Sequence, residues 1–382
     1  MAENNITSIV PDIYEALDVV SRELTGLIPA VTMNASAERA GLNQNIVVDV
    51  EPAGNVGDIT PAMTIPDPTG QTSGSTNIQI TKSRAAEFGF NGDAQKELNT
   101  GPGYVSVRAA KIAQAIRAVV NEVETDLGGL QSTFSRAYGT AATTPFGTAN
   151  DYTDASNVLK ILKDNGSPQS DNQLVINTAA GANFIGKQSA VNSAGTDSML
   201  RQGVLLDLAG MPLRESAQIQ NSVSGTSANA VVNAALTVGQ TSIVLKATGT
   251  GTIVTGDVIS FAGDTEKYVV QTGAGAVSGA TIVISAPGIQ KAQGTGDKAI
   301  AITAASARNM AFNRSALVLA ARAPARPEEG DMAEDVILIT DPRSGLTMEF
   351  AMYKGYRKVR YEVGLAWGVK NIKPEHTALL LG

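Results

Sequence analysis

The sequence predicts an α+β protein organised on one long helix, with an extended β-arm and an inserted all-β barrel. Three observations carry that prediction. Apolar residues recur at helical spacing from Tyr104 to Leu130. A Gly-, Thr-, Ser- and Val-rich stretch from about residue 230 to 303 breaks into short strands between flanks unlike it. The chain from Met332 onward is strand-rich again. With 382 residues, 43% of them hydrophobic and 17% charged, the chain is long enough for two or three domains with a sizeable core.

At the N-terminus, Pro11 occupies a first-turn position, Ile9, Ile13, Leu17, Val20 and Leu24 follow helical spacing, and Gly26 supplies a stop. The spacing predicts a short amphipathic helix whose stripe docks on its own domain or on a neighbouring subunit. Ile46–Val50 and Asn77–Lys82 read as strands, bracketing an irregular stretch with Pro61, Pro66, Pro68, Gly70 and Gly74. So long a connection is uncommon inside a compact domain, and the pattern predicts a projecting β-arm over 45–91.

The strongest helical signal follows. Val105, Ala109, Ile112, Ile116, Val119, Val123, Leu127 and Leu130 are spaced 4, 3, 4, 3, 4, 4 and 3 apart. The helix would run roughly 40 Å, with Gly128-Gly129 weakening its last turn. From Asp151 to Gln220 a compact α+β module is predicted, with a helix over Ala155–Lys163, a buried strand at Gln173–Ile176, an apolar run at Leu200–Leu208, and a turn at Gly210–Leu213. Within the insert the strands are Thr241–Lys246, Asp257–Phe261, Lys267–Gln271, Thr281–Ser285 and Lys298–Ile302, separated by glycine turns as in a small barrel or sandwich. The tail gives Val336–Ile339, a turn at Asp341–Gly345, Leu346–Phe350, and a further pair at Lys358–Val363 and Gly364–Gly368. The closing unit is then an antiparallel sheet.

The chemistry excluded is as informative. There is no cysteine and a single histidine, His376, which removes disulfides, Cys-based zinc sites, thiol nucleophiles and any triad needing an interior histidine. A net charge of −7 offers no counterion-release footprint for nucleic acid. No signal segment and no apolar run of spanning length is visible, so the reading is a chain made and kept in cytoplasm.

Three motifs bear on chemistry. Gly181-Ala182-Asn183-Phe184-Ile185-Gly186-Lys187-Gln188 matches phosphate-loop spacing until its last position, where Gln188 replaces the hydroxyl that ligates magnesium. An ordinary amphipathic turn is the better reading, and a nucleotide-dependent enzyme hangs on this segment alone. Gly101-Pro102-Gly103 continues as Tyr104-Val105-Ser106, which breaks the dinucleotide fingerprint. Tyr353, Lys354, Tyr356, Arg357, Lys358 and Arg360 form a basic, aromatic cluster, for which pairing with acidic groups of another subunit is at least as good a reading as nucleic acid. Glu328-Glu329 and His376 read as surface residues. No catalytic, cofactor-binding or metal-binding residue is assigned, and no cofactor.

The order of parts resembles the major capsid proteins of tailed double-stranded DNA phages, more narrowly the coat family of short-tailed phages with an inserted β-barrel. The residues carrying the resemblance are Thr81–Phe90 leading through Leu98–Pro102 into the long helix, Asn309–Leu317 just after the insert, and Asp341–Leu346 with Arg360 and Gly364–Gly368. Two positions depart from the family: Gly92-Asp93-Ala94 stands where an acidic pair is usual, and Asn313 near a usual histidine. The resemblance implies an N-terminal arm (1–44), an arm lying over a neighbouring subunit (45–91), a peripheral domain with its spine helix (92–150), an axial domain in two parts (151–229 and 304–330), an inserted barrel (230–303) and a closing peripheral sheet (331–382). It implies a virion shell of pentamers and hexamers, assembled in the host cytoplasm as a procapsid that then expands. Implied partners are the chain itself, a scaffolding protein and a portal protein, with no sequence-specific nucleic acid and no membrane. A tail, fibre or adhesin-like β-structural protein is the alternative.

Overall fold

A computed structural model describes residues 25–50, 58–59, 61, 63, 74–100, 103–148, 151–187, 208–219, 221–232, 234–340 and 345–382. The helix expected over Ile9–Leu24, nearly all of the apolar run at 200–208 and most of the turn at 341–345 lie outside those residues.

The chain begins with strands β1 (Thr32–Ala40), β2 (Asn45–Val50), β3 (Gly74–Gln79) and β4 (Lys82–Asn91). Two helices follow, α1 (Gly92–Leu98), whose first turn is capped by the Asn91 side chain accepting from Ala94 N, and α2 (Tyr104–Gly129). Next come β5 (Arg136–Tyr138), α3 (Thr153–Asp164), β6 (Asn172–Ile176), α4 (Thr178–Lys187) and β7 (Leu213–Glu215). The insert supplies β8 (Val231–Val232), β9 (Ser242–Val244), β10 (Val258–Phe261), β11 (Lys267–Thr272), β12 (Thr281–Ile284) and β13 (Lys298–Ile302). The chain closes with β14 (Arg308–Asn313), β15 (Leu317–Pro324), β16 (Ala333–Thr340), β17 (Thr347–Gly355), β18 (Lys358–Asn371) and β19 (Thr377–Leu381). The class is α+β.

One sheet runs β1-β15-β18-β17-β16, with β4 also on β18. Its inner face is covered by α2. Ile112, Ile116, Val119, Val123 and Leu127 are buried there with Phe350, Tyr361, Val363, Leu365 and Trp367. The sequence stripe fails only at its start, where Val105 is exposed and Tyr104 with Val107 packs instead. The helix also continues through Gly128. A Cβ there would come 3.1 Å from the Gln218 carbonyl, so this glycine admits a close chain approach rather than ending the turn.

A second sheet runs β7-β6-β14-β19-β5 and continues directly into the insert as β11-β10-β13-β8, with β12 and β9 adjoining. Within the insert the circuit is completed where Lys246 N donates to the Val231 carbonyl, 2.8 Å away. That barrel has its own core, including Ile243, Ile259, Phe261, Tyr268 and Ile282. Yet β11 pairs with β5, Lys267 opposite Ala137, so one sheet passes from the body into the insert. Arg136, buried on β5, reinforces the junction with Nη1 2.9 Å from Glu266 and Nη2 2.7 Å from Asn165 Oδ1.

Two expectations need correction. Lys358–Val363 and Gly364–Gly368 are not a strand pair but parts of one strand of 14 residues. Its glycines mark close packing instead of a turn: a Cβ on Gly364 would lie 3.1 Å from Pro324 Cγ, and one on Gly368 only 2.0 Å from the Gln79 carbonyl oxygen. Residues 82–91, expected within the projecting arm, pair with β18 in unbroken register from Asn91↔Lys358 to Lys82↔Trp367. The projecting element is thus the β2–β3 hairpin, a two-stranded sheet of its own, Asn45 opposite Gln79 and Val50 opposite Gly74.

Candidate functional site

The residues singled out for chemistry do not converge. Gly181–Lys187 lies within α4, so no glycine loop exists to wrap a phosphate. A Cβ on Gly181 would meet the Glu215 carboxylate at 2.8 Å, which puts a negative group where an anion would need to approach. Lys187 turns onto the rings of Tyr152 and Phe146, 5.2 and 5.5 Å from their centroids, and donates to the Asp151 carbonyl. Burial pushes its ammonium below the usual lysine range. The nucleotide reading therefore fails on geometry. Glu328 and Glu329 are exposed in a turn. His376, expected at the surface, is half-buried, and desolvation holds its imidazole below the ordinary value. Asn313 caps the turn after β14, its Oδ1 accepting from Ser315 and its Nδ2 donating to the Ser170 carbonyl at 2.7 Å. Among the described residues no group of three His, Cys, Asp or Glu side chains could hold a metal, and no helix is long and apolar enough to cross a membrane.

What the fold does build is a set of seams that carry surface elements. The first fixes β4 and β18 to the spine helix α2. Lys82 Nζ lies 3.0 Å from Glu122 and 2.8 Å from Asp126, and Trp367 Nε1 donates to the other Asp126 oxygen at 2.8 Å. Phe88 stacks on Tyr361 at 5.3 Å, and Phe90 meets Tyr104 edge-on at 5.0 Å. Alternate residues of β4 thus seat its aromatic-x-aromatic step against the helix end.

The second seam holds the N-terminal segment, and sequence reasoning missed it. Glu124, 1% exposed, accepts from Leu27 N at 3.0 Å, Ile28 N at 2.9 Å and Ser216 Oγ at 3.0 Å. Gly26 permits the approach, since a Cβ there would be 2.5 Å from the Glu215 carbonyl. Burial raises the Glu124 carboxyl above its ordinary value, although all three donors favour the charged form. In the sequence Glu124 lies among the polar positions of this helix, with Arg108, Lys111, Arg117 and Asn121, and its spacing is that of a solvated glutamate.

The third seam roots the β2–β3 hairpin. Ile78 and Ile80 are fully buried against Ala40, Val318, Ala320 and Ala366. Lys370 Nζ donates to Thr76 Oγ1 and the Asn77 carbonyl at 2.7 and 2.8 Å. At the opposite end of β18, Tyr356 and Arg357 form the tip of the β17–β18 hairpin. Tyr356 is 89% exposed, and Arg357 adopts φ of 58° beside it. Of the predicted basic cluster, Lys354 pairs with Glu334 at 2.8 Å, and Arg360 with Glu87 and Glu362.

No family model matches the chain, and no curated protein matches it. Among solved structures it is similar to the capsid of cyanophage P-SCSP1u, at 9% identity over 92% of this chain and 86% of that one, with a TM-score of 0.48. It is similar to the capsid of a native GTA particle, at 11% identity over 94% and 90% of the two chains, with a TM-score of 0.48. A virus-like particle from Pyrococcus furiosus gives 10% identity over 97% and 98%, with a TM-score of 0.42.

Proposed function

We propose that this chain is a major capsid protein that self-assembles into an icosahedral shell around packaged double-stranded DNA. The observation that carries the reading is the rooted β2–β3 hairpin, which among the described residues pairs with no other strand. A lone two-stranded sheet is marginal in water, and Val47 on it is exposed. Its base is anchored in the body, so a chain carrying it gains stability by laying it on another copy. The spine helix under the β18 sheet, the two-part module around β6 and β14, and the inserted barrel support the same reading in the order the resemblance implies. In that division 92–150 and 331–382 form the peripheral domain, 151–229 and 304–330 the axial domain, and 230–303 the insert. The seam at Glu124 gives the N-terminal arm a fixed root from which to reach. Assembly as a scaffold-dependent procapsid that expands, with a portal at one vertex, completes the proposal. The role is structural rather than enzymatic, in a virion put together in the host cytoplasm.

Electron microscopy of the purified protein, alone and with its scaffold, tests this: closed icosahedral particles are expected, and tubes or fibres would favour the tail or fibre alternative. Deleting residues 52–75 should leave a soluble subunit unable to close shells; normal particles from that deletion would sink the role given to the arm.

A further inference from the structure

Where the insert leaves and rejoins the body, three buried hydrogen-bond donors collect with no partner among the described residues. The returning chain at Ala307 bridges the outgoing chain at Asn221, and Ser222 N donates to the Ser306 carbonyl at 3.0 Å. Ser222 Oγ donates to the same carbonyl at 3.4 Å and accepts from Arg308 Nε at 2.8 Å. Ser306 and Arg308, two apart in extended chain entering β14, project to one side. They are 3% and 1% exposed. Arg308 Nη1, Arg308 Nη2 and Ser306 Oγ are closed off from solvent, and none of them has a hydrogen-bond partner in the protein. Buried polar groups are paired, to protein or to a bound species, in the great majority of cases. Three in one cluster define a site.

The charges around the cluster say what it takes. Asp257, fully buried, is the carboxylate that acts on Arg308 electrostatically, yet it touches neither Nη. Its oxygens accept from Gly225 N at 3.0 Å and Val254 N at 2.7 Å instead. Lys267 is the second cation in range, and it donates to the Gly139 carbonyl. Burial pulls the Arg308 guanidinium down to about 10. Two cations against one carboxylate leave one net positive charge, and that carboxylate is already taken up by backbone amides. A water molecule would bring two hydrogens of its own into a cluster with donors in excess. An anion brings acceptors only. The burial of Ser306, Arg308 and Asp257 leaves no approach for a side chain of another molecule, so the anion must be small, and the charge balance makes it monovalent.

We propose that a small monovalent anion of the chloride class binds at the root of the insert, on Arg308 Nη1, Arg308 Nη2 and Ser306 Oγ, and ties the insert's two connecting chains to β14. The site belongs to the single chain and stands apart from the shell reading. Hydrogen exchange of the purified full chain tests it, with chloride varied at constant ionic strength against gluconate, an anion too large for the closed site. Peptides covering 221–226 and 304–310 should gain protection that saturates with chloride, because the ion binds only the folded junction. Arg308→Gln should abolish the saturable gain, and Ser306→Ala should raise the chloride concentration at half-effect about tenfold. Crystals of the chain grown in bromide should show an anomalous peak in contact with the Arg308 guanidinium. No bromide peak there, or an equal chloride response in wild type and both variants, means an adventitious ion only and overturns the site. A bromide peak with no chloride-dependent protection means binding at crystal concentration only and overturns it too. If Arg308→Gln does not fold, Ser306→Ala and the bromide map decide the matter between them.

Discussion

Gly368→Ala is the sharpest perturbation of the arm's root. The added Cβ would sit 2.0 Å from the Gln79 carbonyl oxygen, 2.9 Å from its carbon and 3.2 Å from Ile80 Cα, all backbone atoms. Carbon–oxygen contacts settle at about 3.3 Å or beyond, so the two chains must separate by over 1 Å. Neither is free to move. Gly368 is laddered to Ala320, Thr81 N donates to the Trp367 carbonyl at 3.1 Å, and Ile80 N donates to the Gln44 carbonyl at 2.9 Å. Absorbing the overlap costs about 1–3 kcal/mol, with backbone clashes at the top of that range. Releasing the hairpin exposes Ile78 and Ile80, at about 1.5–3 kcal/mol each. The two routes meet near 3 kcal/mol, which is about a hundredfold in an opening equilibrium. Hydrogen exchange in peptides covering 43–50 and 74–81 should therefore lose about two decades of protection while α2 keeps its own. Gly186→Ala is the control: no atom lies within 4 Å of its Cβ, and alanine favours a helix. Wild-type protection across the hairpin in Gly368→Ala would refute the account of how the arm is rooted.

Other outcomes are equally specific. The native Glu124 carboxyl binds its proton above the unfolded value near 4.3, so the folded state holds more protons between the two values. Stability should rise as pH falls from neutrality through that window, and Glu124→Gln should flatten the rise in urea titrations; parallel curves would contradict it. Trp367, the only tryptophan and fully buried, should emit at short wavelength. Asp126→Asn should weaken the seam by about 1–3 kcal/mol, read as an earlier denaturant midpoint of that emission. Arg136→Met removes the link to Glu266 and Asn165 and should speed exchange in 258–272 before the rest of the second sheet. A titration with magnesium ATP should show no saturable binding.

Much of this architecture was legible because it rests on local pattern. The 3.6-residue period set α2 nearly to the residue, and glycine-punctuated runs located five strands of the insert within two residues or so. The errors share one cause. Gly364 suggests a break between two strands, Gly128 a weakened helix end and Gly181 a turn, yet each of them, like Gly368, makes room for a neighbour distant in sequence. That use leaves no local trace. The same holds for β4, whose alternation suits an arm and a strand laddered to the body equally until β18 is beside it. Glu124 is the extreme case, because its role depends on two backbone amides almost a hundred residues away.

The pairing of β11 with β5 sets a limit on engineering this protein. Because β5 is a three-residue strand held by β19 on one side and β11 on the other, excising 230–303 would not leave a finished domain. It would bare a sheet edge with open hydrogen-bonding groups, the feature that recruits strands from other molecules. Truncations that remove the insert should therefore aggregate unless a charged or proline-bearing substitute shields β5, and added sequences are better grafted into the loops of the barrel than exchanged for it.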